Sequence, residues 1–199
     1  MPGYLTRHQR IRLGAQDYDI RSLSCTQQFA DPDGRAEKLG ISSAQWSLFG
    51  QVWPAGRLLA NAMDDFDITG KRILEIGCGL GLASLVLQRR GADVIASDMH
   101  PLAEPFLAYN SALNSLPSVR YRKLRWAVPL PTLGLFDLLI AADVLYEREH
   151  AELLAAVVAR HASPEAEVVF SDPGRGNSGA FARALALQGF ASSESRGAL

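Results

Sequence analysis

The chain has 199 residues, a formal net charge of −1, two cysteines, and 48% hydrophobic against 21% charged residues. That length suffices for one domain with a substantial core and falls short of a comfortable two. A near-neutral balance gives no basic field for nucleic acid, two cysteines make no disulfide framework, and no apolar run approaches membrane-spanning length.

The opening residues, MPGYLTRHQR, lack the apolar core of a secretory signal, so the expectation is a reducing cytoplasm, with neither nucleic acid nor membrane as partner. Residues 9–13 and 18–23 alternate apolar and polar, which predicts two short strands around a turn at 14–17. Asp31-Pro32-Asp33-Gly34 is a turn signal. Residues 1–50 are expected to form an N-terminal extension packed on a domain spanning 51–199. Pro54 suits the first turn of a helix whose apolar stripe is Leu58, Leu59 and Ala62.

Residues 71–98 carry the most legible pattern. Ile73, Leu74 and Ile76 read as a buried parallel strand, and three glycines follow at alternate positions, Gly77, Gly79 and Gly81. Leu82, Leu85 and Val86 repeat with helical spacing, and Gly91 sits where a glycine would end the helix. A second strand at 94–96 runs into Asp98. This is a βαβ unit whose first turn lacks side chains and whose second strand ends in a carboxylate, and such a unit holds a nucleoside outside the carboxyl ends of its strands. A dinucleotide fingerprint requires a third glycine where this chain has Leu82, and Glu75 stands where a pyrophosphate would lie. The spacing therefore favours a ligand without phosphates, against the alternative of a glycine turn that binds nothing.

A helix is expected from residue 101 to about 113 on Leu102, Phe106, Tyr109 and Leu113, then a strand at 119–124. Arg120, Arg122, Lys123 and Arg125 read as a solvated strand face. Residues 135–142 are nearly all apolar, a central buried strand ending in Asp143-Val144-Leu145-Tyr146. A helix at about 148–161 uses Leu153, Leu154, Val157 and Val158; a strand at 168–170 runs into SDPGRGNSG; a last helix at 180–187 stops at Gly189. Alternating strands and helices predict a doubly wound α/β domain. His100 reads as a solvent-facing loop histidine, and no His/Cys cluster has metal-ligand spacing, so no metal is expected.

GQVWPAGRLLA, LEIGCGLGLAS, the paired Asn110 and Asn114, Arg125-Trp126 and AADVLYE occur in this order. Together they resemble the class I, seven-strand S-adenosylmethionine-dependent methyltransferases. Within these the chain is similar to the D-x-x-Y protein-lysine methyltransferases and their bacterial, nicotinamide N-methyltransferase-like members. The resemblance covers roughly residues 45–190. It implies a mostly parallel Rossmann-like sheet with a short N-terminal β extension, and a C-terminal hairpin shortened to the one strand that residues 189–199 can supply. It implies S-adenosylmethionine as cofactor and methyl transfer to a nitrogen, with a protein lysine favoured as acceptor. Two alternatives stand: a small-molecule N-methyltransferase of the same fold, and a binder of the donor without activity.

On that resemblance Gly77 and Gly79 let the backbone approach the methionine part of the donor. Glu75 accepts from loop amides or from the donor's ammonium. Asp98 accepts from the ribose hydroxyls, or else caps the helix ahead of Pro101. Trp126 resembles the family's tryptophan near the adenine, with core packing as the alternative, and Trp53 carries the same ambiguity. Met99 and Ala142 complete the implied donor set. Asp143 and Tyr146, three apart, would face one way on a helical turn, the acid orienting the amine and the ring walling the acceptor channel. Their other reading is a helix cap and a core tyrosine. Arg175, in DPGR, either meets an acidic group on the substrate or ties down its loop.

Overall fold

The computed structural model describes residues 4–25, 31, 34, 36–41 and 48–197; Pro32 and Asp33 of the expected turn lie outside them. Five strands, β3 (Arg72–Ile76), β4 (Asp93–Asp98), β5 (Arg120–Lys123), β6 (Phe136–Ala142) and β7 (Ala162–Ser171), form one sheet in the order β5-β4-β3-β6-β7. Every neighbouring pair is parallel. Parallel pairing needs crossovers, and helices α2 (Leu82–Arg89), α3 (Ala103–Leu113) and α4 (His150–His161) supply three of them. Helix α1 (Pro54–Asp65) precedes the sheet and α5 (Ser178–Ala186) follows it. The strand order reverses between β3 and β6, which opens a crevice at their carboxyl ends.

The period of two along each strand sorts the core into two layers. Ile73, Val94, Ala96, Leu138 and Ile140 pack with α1, α2 and α3 through Leu59, Met63, Leu85 and Phe106. Leu74, Ile76, Ile95 and Leu139 pack with α4 and α5 through Leu154, Val158 and Phe181. The sheet is doubly wound, as its alternation of elements predicts.

The N-terminal strands are longer than the alternation predicts. Strands β1 (Thr6–Leu13) and β2 (Gln16–Leu23) pair antiparallel, with Leu13 opposite Gln16, so the turn shrinks to Gly14 and Ala15. Two asparagines, Asn110 of α3 and Asn114 at its C-cap, dock this hairpin. Asn110 Oδ1 accepts from Arg21 N–H at 2.8 Å, and its amide donates to Arg21 and Leu80 carbonyls at 3.3 and 3.1 Å. Asn114 Oδ1 accepts from Asp19 N–H at 2.9 Å and its amide donates to Asp19 O at 2.7 Å. The two side chains thus imitate the edge of a third strand.

Two further expectations are corrected. Strand β7 begins at Ala162 rather than 168, because an edge strand has one partner only and tolerates Pro164 and exposed glutamates. The strand expected after Gly189 is absent among described residues 190–197. After Phe190 that segment is small and polar, without the alternation that seats a strand.

Candidate functional site

The turn after β3 closes tightly. Gly77 has φ +71°, and a Cβ there would lie 2.6 Å from Val144 Cγ1, so only glycine lets this turn meet the loop after β6. Gly79 N–H donates to Asp98 Oδ2 at 2.9 Å, and His100 N–H donates to Oδ1 at 2.8 Å. Asp98 is therefore fixed across the turn with a lone pair still available on each oxygen. Burial raises its pKa, partly offset by these backbone bonds. The Gly79 amide, which in a phosphate-binding turn would face the ligand, is committed to the protein's own carboxylate. With a lone pair left on each oxygen, Asp98 can accept from the hydroxyls of a ligand, a donor set that fits a nucleoside without phosphates.

Glu75 does not join it. The period of two puts Glu75 on the Ile73 side of the sheet, under α2, where it accepts from the Ser84 amide at 3.0 Å and from the Ser84 hydroxyl. It is 5% exposed, and burial pushes its carboxyl up to about 7 against the pull of the Ser84 bonds. It braces the helix after the glycine turn and lies outside the cavity lining.

The other expected site residues surround one cavity of about 270 Å³. Gly77, Gly79, Asp98 and Met99 line it from the β3 and β4 ends, and Trp126 from the loop after β5. Ala142, Asp143 and Tyr146 line it from β6 and its loop, and Trp53 from the start of α1. Trp53 Nε1–H donates to Leu48 O at 2.9 Å, which ties that loop to the helix start. His100 is 7% exposed rather than solvent-facing. Its ring stacks on Phe49 with centroids 3.9 Å apart, and burial drives its pKa down to about 3.

The acceptor side also departs from expectation. Residues 143–146 form no helical turn. Asp143 instead takes φ +51°, and its N–H donates to Ser171 O at 2.8 Å. Its side chain, 7% exposed, receives both arms of the Arg175 guanidinium, at 2.7 and 3.1 Å. Asp143 caps no helix: Glu149 is the N-cap of α4. Arg175 pairs with the protein's own acid and ties its loop to β6. Tyr146 stands edge-on to His150 at 4.4 Å, and burial pushes its phenol up to about 12.

The sequence reading did not single out Phe49, Glu149 or His150, all of which line the cavity. For His150 a signal existed, four residues beyond Tyr146 at a helix start. Among the described residues, Glu147, Glu149 and His150 bring potential ligand atoms within 4.8 Å of one another, on the cavity's rim. No helix among the described residues is long and apolar enough to cross a membrane.

Comparison with known proteins adds to this geometry. Residues 37–181 match the family described as lysine methyltransferase. The electron transfer flavoprotein beta subunit lysine methyltransferase of Xenopus laevis is 30% identical over 134 residues, covering 65% of this chain and 52% of that one. The EEF1A lysine methyltransferase 3 of Mus musculus is 27% identical over 191 residues, covering 92% and 79%. The chain spans about half the length of several curated relatives that it matches. Among solved structures, the T. Thermophilus 16S rRNA N2 G1207 methyltransferase, in complex with AdoMet and guanosine, aligns with TM-score 0.60 at 20% identity. That alignment covers 90% of this chain and 45% of the other, and it is a likeness of fold.

Proposed function

The chain belongs to the lysine methyltransferase family, and on that premise we propose that it transfers a methyl group from S-adenosylmethionine to the side-chain amine of a lysine in another protein. One observation carries the reading: a single cavity joins a nucleoside-type turn, with Asp98 fixed across it, to an aromatic mouth at the end of β6. S-adenosylmethionine supplies a methyl group already activated on a sulfonium, so the protein's task is alignment and exclusion of water.

The chain's residues divide that task. Asp98 accepts from the ribose hydroxyls, Gly77 and Gly79 give the donor's backbone-facing edge room, and Trp126 offers a flat face for the base. Met99 and Ala142 line the same side, and Trp53 closes the cavity from α1. Tyr146 walls the acceptor channel, and Asp143 with Arg175 fixes the loop that shapes it. The partner is a protein acceptor. The compartment is a reducing cytoplasm, a choice supported by a sequence with two cysteines, too few for a disulfide framework.

The test is incubation of the protein with methyl-labelled donor and cell extract. Label is expected in precipitated protein, recovered after hydrolysis as methyllysine. Label confined to the soluble fraction would assign a small-molecule acceptor instead. Binding of donor without any transfer would leave a donor-binding protein.

A further inference from the structure

A lysine ammonium has no lone pair, so it must lose a proton before methylation, and at neutral pH a group that takes that proton inside the cavity speeds the step. Most of the acids and bases lining the cavity are engaged. Both oxygens of Asp143 hold Arg175, both oxygens of Asp98 hold backbone amides, and burial keeps the Tyr146 phenol protonated. His100 Nδ1 accepts from Leu102 N–H at 3.2 Å and its ring lies against Phe49.

His150 differs. It is 6% exposed and lines the cavity at the start of α4. Its Nδ1 lies 2.9 Å from Val144 O, and since a carbonyl only accepts, Nδ1 carries the hydrogen. In the neutral ring Nε2 is then an unprotonated acceptor, and among the described residues no hydrogen bond engages it. Trp126 and Tyr146 stand edge-on to the ring, at 5.1 and 4.4 Å, and hold its orientation. Glu147 and Glu149 place carboxylate oxygens within 4.8 Å of a ring nitrogen.

We propose that His150 Nε2 is the general base that takes a proton from the acceptor lysine. The inference rests on the proposed function. In the step, the Nε2–H bond forms as one N–H bond of the ammonium breaks, and the pair from that bond stays on the lysine nitrogen. That pair then forms the N–C bond to the methyl carbon while the C–S bond breaks, its electrons going to sulfur. The products are a methylammonium, a thioether and an imidazolium, whose proton passes to water once the mouth opens. Glu147 and Glu149 offset the imidazolium charge. The remaining charged groups on the cavity wall are Asp98, Arg125 beside Trp126, and the Asp143–Arg175 pair.

The variant is His150→Asn, whose amide reproduces the Nδ1–H bond to Val144 and removes the basic nitrogen. Single-turnover rates of lysine methylation, from pH 6 to pH 10 (about four decades of proton activity), are compared with donor affinity by calorimetry. The expected result is unchanged donor affinity with a rate at neutral pH lower by about a hundredfold or more. The variant's rate keeps rising with pH as lysine deprotonates unaided, more steeply than the wild type's, so the ratio between them shrinks. His150→Ala, with the ring space open, should regain rate on adding imidazole. A wild type that labels lysine, with His150→Asn following the same pH profile and no imidazole rescue, overturns the base alone. A wild type that binds donor and labels no lysine overturns the functional reading and the base with it.

Discussion

Two carboxylates, Glu75 buried and Asp98 half-buried, sit a strand apart and behave differently, and each yields a test at the scale of one residue. Asp98 is held by two backbone N–H groups and faces the cavity. Asp98→Asn keeps the shape and removes the charge that would strengthen the proposed hydrogen bonds to ribose, worth about 1.5–3 kcal/mol. Donor affinity measured by calorimetry should fall about ten- to a hundredfold; unchanged affinity would take Asp98 out of the donor site. Glu75 is raised from 4.5 to about 7 by burial. A carboxyl raised on folding binds its proton more tightly in the native state. Its contribution to stability is thus complete below about pH 4.5 and is lost as pH rises through 7. The shift corresponds to about 3 kcal/mol. Glu75→Gln keeps an acceptor for Ser84 and should remove that slope. Urea unfolding at pH 5 and 8 (about the two ends of the window) should therefore favour the variant increasingly at the higher pH. Parallel slopes for the two proteins would mean that Glu75 is charged and accommodated.

At the scale of elements, the hairpin is attached through amide side chains of α3 and its C-cap. Asn110→Ala leaves the Arg21 N–H and carbonyl without their partner, a local cost of about 1–3 kcal/mol. Hydrogen exchange at Asp19 and Arg21 should accelerate while amides of β3 and β6 stay protected; equal protection would mean that packing through Tyr18 and Ile20 holds the hairpin alone. These elements also differ in how far the sequence disclosed them. Strand β6 was legible because it is buried on both faces and reads as an unbroken apolar run. The first half of β7 was not, because Ala162 to Glu167 lie at an edge where polar residues and a proline are permitted. The glycine turn and Asp98 were legible because their geometry is local. The direction of Glu75 needed the strand's phase, the Asp143–Arg175 pair joins residues 32 apart, and the contact of His150 with Trp126 crosses from the loop after β5 to the start of α4. Contacts made by the tertiary fold leave no short-range signature.

For the whole molecule, the two core layers meet across one sheet, and a ligand at its carboxyl edge touches the ends of β3, β4 and β6 together. Binding to the native state alone stabilises by about 2.7 kcal/mol at a hundred times the dissociation constant. For a chain of this size that is about 5–10 °C in Tm. S-adenosylmethionine and its demethylated product should each give such a shift, and NAD none, since the Gly79 amide already serves Asp98. A shift with NAD and none with the methyl donor would reverse the reading of the turn.

The strand order has a consequence for biosynthesis. Strand β3 lies at the centre of the finished sheet but is the first of the five to be translated. Its neighbour β4 follows at once, and β5 then pairs with β4, so one edge is covered early. The other edge waits for β6: the Arg72 amide ends on Asp137, 65 residues downstream. At about 5–20 residues per second the ribosome takes roughly 3–13 s to deliver that partner. Through that interval the nascent chain shows an apolar strand edge beside an unfinished glycine turn, and it has no mouth for an acceptor. The native sheet ends in strands guarded by arginine and lysine on one side and by proline and glutamate on the other. The aggregation hazard of this protein belongs to the half-made chain, and truncations between β5 and β6 should be the ones that chaperones retain.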